Sequence, residues 1–145
     1  MLVRYNDTYQ TMMLQLARAM HAESRRYEAY EFSEKKMLAM LKNPNVFCML
    51  SVINGEGIGF IMGMVQSIWF SEKKYGFDLA LYILPNRRGG ISAAKLVKEF
   101  EKFCRQQGCT EVTLSSSAEI STDITRRLYV GLGYQDCGFI VRREI

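Results

Sequence analysis

A chain of 145 residues is long enough for one well-packed domain and short for two. Hydrophobic residues make up 48% and charged residues 23%, a globular balance, and no apolar run approaches the roughly 18 residues that a membrane span needs. The net charge of +4 suits an anionic ligand but is too small, and too dispersed along the chain, to point to nucleic acid. The start, Met1-Leu2-Val3-Arg4-Tyr5-Asn6-Asp7, lacks the apolar run of a secretory signal, so a cytoplasmic protein is expected. After a short strand at Leu2–Tyr5, Asp7 or Thr8 can cap a helix whose Met12, Met13, Leu16 and Met20 recur at helical spacing. A connection follows at Glu23–Tyr30. Ser33 can cap a second helix with Met37, Leu38 and Leu41 inward, and Asn43-Pro44-Asn45 stops it.

Val46–Ile53 and Gly59–Phe70 read as strands joined by Asn54-Gly55-Glu56-Gly57, a turn of residues that tolerate positive φ. Phe77–Leu84 is a third strand in the same antiparallel set. Between Leu84 and Leu96 the chain passes from strand to helix through Pro85-Asn86-Arg87-Arg88-Gly89-Gly90. Adjacent glycines allow a tight turn with exposed amides, and the free N–H groups of a first helical turn carry partial positive charge, so this stretch can hold a phosphate. An ordinary basic turn before a helix would use the same residues. The helix, Ile91–Gln107, carries an apolar stripe of Ile91, Leu96, Val97, Phe100, Phe103 and Cys104, with Gly108 placed as its cap. Glu111–Ser115 is then a buried strand, joined to Phe77–Leu84 by a right-handed parallel crossover. Thr122–Leu132 forms a final helix, and Tyr134–Arg143 is expected to return as a strand. The order is β-α-α-β-β-β-α-β-α-β: a mixed α/β domain over residues 1–145.

Cys48, Cys104, Cys109 and Cys137 lie singly and far apart and read as small buried hydrophobes, and His21 is the only histidine. No metal site is expected.

The element order, the glycine turn and Leu128-Tyr129-Val130-Gly131-Leu132-Gly133-Tyr134 together resemble the GNAT family of acetyl-CoA-dependent N-acetyltransferases over nearly the whole chain. The family's pyrophosphate motif, Pro-x-x-Arg-Gly-x-Gly-x-Gly/Ala followed by helix leucines, finds Pro85, Arg88, Gly89, Ala93, Leu96, Val97, Phe100 and Gly108 in ungapped register, with Ile91 at the central glycine. A shifted register uses Arg87, Gly90 and Ser92 but moves Lys95 onto a leucine position. The second motif, Asn-x-x-Ala-x-x-Leu-Tyr-x-x-x-Gly-Phe, is matched by Leu128, Tyr129, Gly133 and Tyr134, with Thr122 and Thr125 replacing the asparagine and alanine.

The resemblance implies a central, mostly antiparallel sheet with helices on both faces. It implies acetyl-CoA as donor, its pyrophosphate lying on Arg87, Arg88, Gly89, Gly90, Ile91, Ser92 and Ala93, with Thr122 in the asparagine's place. Ile83 would offer main-chain hydrogen bonds to the pantetheine arm, and Tyr129 would protonate the departing thiolate. The base for the incoming ammonium has two carboxylate candidates, Glu23 on the acceptor side and Asp78 on the central strand. The acceptor is a primary amine of a small molecule or a protein, between walls at Ala19–Phe32 and Trp69–Gly76 that are rich in aromatic residues: Tyr27, Tyr30, Phe32, Trp69, Phe70 and Tyr75. Core packing or a homodimer interface would use the same residue types. The contrasting reading is a catalytically degenerate GNAT-like protein that grips an anionic partner or nucleic acid, with Arg126, Arg127, Arg142 and Arg143 contributing to a basic patch.

Overall fold

The structure, a computed structural model, describes residues 1–145. Strand β1 (Leu2–Arg4) leads through a 3-10 turn into helix α1 (Gln10–Glu23), and a second 3-10 turn precedes α2 (Glu34–Leu41). Strands β2 (Val46–Ile53), β3 (Glu56–Ser67) and β4 (Lys74–Ile83) follow, then α3 (Ser92–Gln106), β5 (Cys109–Thr113) and α4 (Thr122–Gly131). The sheet order is β1-β2-β3-β4-β5, antiparallel except for the last pair, which is parallel. Local chemistry sets these boundaries. The Ser33 hydroxyl accepts from the Lys36 amide at the start of α2, and Asn54 and Gly55 take φ of 51° and 80° to close the β2–β3 hairpin. At the first helix it is Asn6, rather than Asp7 or Thr8, that accepts from the Thr8 amide.

The sheet separates two cores. On one face α1 and α2 bury Met13, Leu16, Ala17 and Leu41 against Leu50, Phe60, Ala80 and Tyr82. On the other, Leu96, Val97, Phe100 and Cys104 of α3 pack with Phe47, Ile61, Ile83 and Tyr129. Burial of the Phe100 side chain alone stabilises the fold by about 1.5–3 kcal/mol. Its close seat depends on Gly63, where a Cβ would lie 2.4 Å from the Phe100 ring.

Two irregularities in β4 set the direction of its side chains and the extent of its pairing. Met62 faces Ala80 while Gly63 faces Asp78, so Leu79 is an extra residue that forms a bulge. The bulge shifts the alternation of side chains: Ala80 and Tyr82 join the α1/α2 core, whereas Asp78 is set toward the side of Tyr129. The second is that β4–β5 pairing ends at Phe77 opposite Thr113. Beyond that point the two strands part.

The expected strand at Tyr134–Arg143 does not form, and the order closes on α4. Gly133 takes φ of 96° and the Tyr134 amide bonds back to the Tyr129 carbonyl, which turns the chain over the end of the helix instead of along β5. Gly138, at φ 135°, interrupts the run again. The tail is fastened by side chains, Asp136 to Arg126 and Arg142 to Glu119, and Phe139, Ile140 and Val141 are exposed. β5, five residues long, is left at the edge of the sheet. Cys48 and Cys104 are buried as expected, but Cys109 is half-buried and Cys137 exposed.

Candidate active site

The turn between β4 and α3 keeps the geometry that an anion requires. Gly89 has φ of 86°, in the left-handed region, and neither Gly89 nor Gly90 has an atom within 4 Å of where a Cβ would stand. Helix α3 begins after Ile91 without any side-chain cap, so the amides of its first turn are left for another acceptor. Ile91 is 66% exposed and adopts an ordinary right-handed φ of −90°, a conformation that asks nothing of a glycine. Arg87, Gly89 and Gly90 are exposed, and Ser92 and Ala93 half-buried. These features fit the pyrophosphate of a coenzyme.

Arg88 is committed elsewhere. Its Nη1 and Nη2 donate to the two carboxylate oxygens of Glu23 at 2.7 and 2.8 Å, and its Nε donates to the Ile83 carbonyl at 2.9 Å. Tyr82 adds a hydroxyl bond to Glu23 at 2.9 Å. The predicted acceptor-side carboxylate and the predicted phosphate-loop arginine therefore form one network, joining the end of α1 to the turn before α3. The hydrogen bonds from Arg88 hold the Glu23 carboxyl below its ordinary range, while burial and the Glu23 carboxylate push the Tyr82 phenol up to about 12. Ile83 lies past the last β4–β5 pair, and its carbonyl meets the Arg88 side chain instead of a neighbouring strand.

Asp78 and Tyr129 form a second group where β4 and β5 part. Asp78 is 7% exposed, and its Oδ1 accepts from the Ser115 amide at 2.8 Å and from the Ser115 hydroxyl at 3.3 Å. Its Oδ2 is buried without a partner. Burial pushes this carboxyl up to about 6, against the Ser115 bonds that lower it. The Tyr129 hydroxyl donates to the Ser115 carbonyl at 3.3 Å, and burial, followed by the negative charge of Asp78, raises its pKa well above the usual phenol. Tyr129 is thus a proton donor at any physiological pH. Thr122 opens α4, with its hydroxyl 3.2 Å from that of Ser116.

The predicted residues accordingly fall into two groups on either side of Ile83, not one. Glu23 belongs with the loop and Asp78 with Tyr129. Sequence reasoning missed Ser115, which bridges Asp78 and Tyr129, and Tyr82, which bonds Glu23; the run Ser115-Ser116-Ser117 after an apolar strand was the available signal for the first, since serines there can bond where a ladder has stopped. Ser117 does so, donating to the Leu79 carbonyl at 2.8 Å. Of the predicted aromatic walls, Trp69, Phe70 and Tyr30 are exposed, whereas Tyr27, Phe32 and Tyr75 are partly buried. His21 bonds through its ring to the Tyr30 carbonyl. No three His, Cys, Asp or Glu side chains converge on a point that could hold a metal ion, and no helix is long and apolar enough to cross a membrane.

Comparison with solved structures places the fold. The chain superposes over its whole length on an aminoglycoside acetyltransferase, meta-AAC0020, from an uncultured soil metagenomic sample, with TM-score 0.80, 18% identity and 94% of that chain covered. AAC(6')-Iy in complex with the bisubstrate analog CoA-S-monomethyl-acetylneamine matches at TM-score 0.78 and 16% identity, with 100% of this chain and 97% of that one aligned. A ribosomal-protein-alanine N-acetyltransferase from Brucella melitensis biovar Abortus 2308 matches at TM-score 0.75 and 12% identity, with 99% of each chain aligned. No curated protein matches in sequence. The sequence profile of the Acetyltransferase (GNAT) family, by contrast, matches residues 11–134, which takes in all but the first residue of α1, the turn before α3 and the whole of the Leu128–Tyr134 motif. The chain belongs to the acetyltransferase (GNAT) family, a family of acetyl-CoA-dependent enzymes.

Proposed function

We propose that the protein transfers the acetyl group of acetyl-CoA to a primary amine of a cationic small molecule or a protein, by direct attack of the amine on the thioester. The observation that carries this reading is the parting of β4 and β5 beyond Phe77, with an uncapped helix N-terminus and positive-φ Gly89 near one end and the Tyr129 hydroxyl at the other. Acetyl-CoA supplies an activated thioester carbonyl. The amides of residues 89–93, with Arg87, bind the pyrophosphate, and Arg88 joins them by exchanging Glu23 for the phosphate; Thr122 lies at the start of α4 as a further polar contact. The main chain at Ile83 orients the arm that bears the acetyl group, much as an added strand is held.

Tyr129 turns its O–H from the Ser115 carbonyl to the sulfur and gives its proton as the C–S bond breaks, and the phenolate regains a proton from solvent, which takes up the one lost by the attacking nitrogen. Of the two carboxylates, Glu23 stands on the acceptor side, partly exposed at the end of α1; Arg88 balances its charge, and that charge becomes free to attract an ammonium when Arg88 turns to the pyrophosphate. Proton removal then proceeds to solvent. That solved relatives include aminoglycoside acetyltransferases and a ribosomal-protein acetyltransferase supports an amine acceptor without choosing its size.

Calorimetry with acetyl-CoA, followed by CoA-thiol release across aminoglycosides, polyamines, lysine peptides and peptide N-termini, tests the reading. Saturable binding and amine-dependent thiol release are expected. Binding without release in every amine class would overturn transfer to amines and favour the degenerate binding protein.

A further inference from the structure

We infer that Asp78 is a positioning residue: from the point where β4 and β5 part, its carboxylate fixes the Ser115 peptide, and that peptide's carbonyl holds the hydroxyl of Tyr129. The inference rests on the proposed role of Tyr129 as the acid. Ladder bonds stop at Phe77 and Thr113, and two residues later the strand leaving β5 would be free to drift. Asp78 Oδ1 replaces the missing ladder with two bonds to one residue, the Ser115 amide and hydroxyl. The carbonyl of that same Ser115 is the acceptor for Tyr129. Only the Leu79 bulge permits this arrangement. Without the extra residue the alternation of β4 would set Asp78 on the face of Ala80 and Tyr82, against α1 and α2.

Asp78 is a poor candidate for contact with an incoming amine. Its Oδ1 is taken, its Oδ2 is sealed from solvent, and it lies on the α3/α4 side while Glu23 stands at the end of α1. A residue acting through Ser115 requires an acceptor oxygen toward the amide, which asparagine also supplies; it does not require a negative charge or a base.

The test uses the full chain and thiol release from saturating acetyl-CoA, with sisomicin as the amine and water alone as background. Tyr129→Phe is measured first, and a turnover equal to the native enzyme's would remove the reading on which the inference rests. Given a loss there, Asp78→Ala is expected to lower kcat by about ten-fold or more with acetyl-CoA affinity unchanged, and Asp78→Asn to restore it to within about three-fold. Placed in the Tyr129→Phe background, Asp78→Ala is expected to cost nothing further, because the group it orients is gone. An Asp78→Asn enzyme as slow as Asp78→Ala, or an undiminished effect of Asp78→Ala in the Tyr129→Phe background, would overturn the positioning role while leaving Tyr129 as the acid. Should Asp78→Ala not fold, Asp78→Asn alone decides: a loss of about a hundred-fold would assign the carboxylate a charge or proton-transfer role instead.

Discussion

Glu23→Gln should tighten the binding of CoA. In the present arrangement the side chain of Arg88 spends three donors on Glu23 and the Ile83 carbonyl, at 2.7, 2.8 and 2.9 Å, and a carboxylate stands beside the turn where a pyrophosphate is proposed to dock. The two side chains are 31% and 29% exposed, so their attraction is screened more than a buried pair's and less than a surface pair's. A coupling of about 1 kcal/mol is reasonable for such a pair, equivalent to roughly five-fold in Kd. Neutralising Glu23 removes the competitor of the phosphate for Arg88 and also removes an adverse charge, and both effects have the same sign. Calorimetry with CoA and with pantetheine, which lacks the pyrophosphate, separates this electrostatic effect from a general change in the cleft. CoA should bind Glu23→Gln about five-fold more tightly, the gain should shrink as salt is added, and pantetheine should be unaffected. Weaker CoA binding in the variant would refute the reasoning, since it would mean that Glu23 organises Arg88 for the ligand rather than withholding it.

Tyr129→Phe should lower kcat by about a hundred-fold with CoA affinity preserved, as expected for loss of a general acid, and steady-state thiol release together with calorimetry checks both halves. Gly89→Val meets no atom but must hold φ near 86°, so it should cost about 1–2 kcal/mol in the turn proposed to bind CoA, read as roughly ten-fold in Kd. Gly63→Ala should destabilise the fold by about 1–3 kcal/mol in urea unfolding, because its Cβ would press on the Phe100 ring and lie 2.8 Å from the Phe77 carbonyl. Asp78 gives a pH signature in stability. Its carboxyl titrates near 6 when folded and near the ordinary value of about 4 when unfolded, so its contribution is complete below about pH 4 and is lost as pH rises through 6. The stability of the native protein relative to Asp78→Asn should therefore fall across that window and be level on either side.

Periodicity carried most of the fold. The apolar stripe of Ile91, Leu96, Val97, Phe100, Phe103 and Cys104 predicted α3 almost to its ends, because a helix packed on a sheet must present one apolar face; four of the six are fully buried and Phe103 is half-buried, whereas Ile91, just before the helix, is exposed. The turn residues Asn54, Gly55, Gly89 and Gly108 all adopt the positive φ that their chemistry allows. The misread tail shows where such reasoning stops. Phe139-Ile140-Val141 has strand-forming side chains, but a strand is a property of two edges, and nothing local reports whether the edge of β5 is taken up.

The same limit divides the site. The geometry of the loop could be read because it lies in contiguous backbone: glycines and a helix start are written side by side. The partners of the carboxylates could not. Glu23 meets Arg88 across 65 positions, and Asp78 meets Ser115 across 37, through a bulge at Leu79 that no residue type announces. That bulge has a larger consequence than any single motif residue. It sets residues an even number apart on opposite faces, giving Asp78 to the side of Tyr129 and Tyr82 to the side of Glu23, where regular alternation would put both on one face. Two carboxylates that looked interchangeable as bases in the sequence thereby acquire opposite electrostatics, one held ionised by an arginine and the other pushed toward protonation by burial. Under the proposed function the first shares its arginine with the anion at the turn, and the second holds a peptide still.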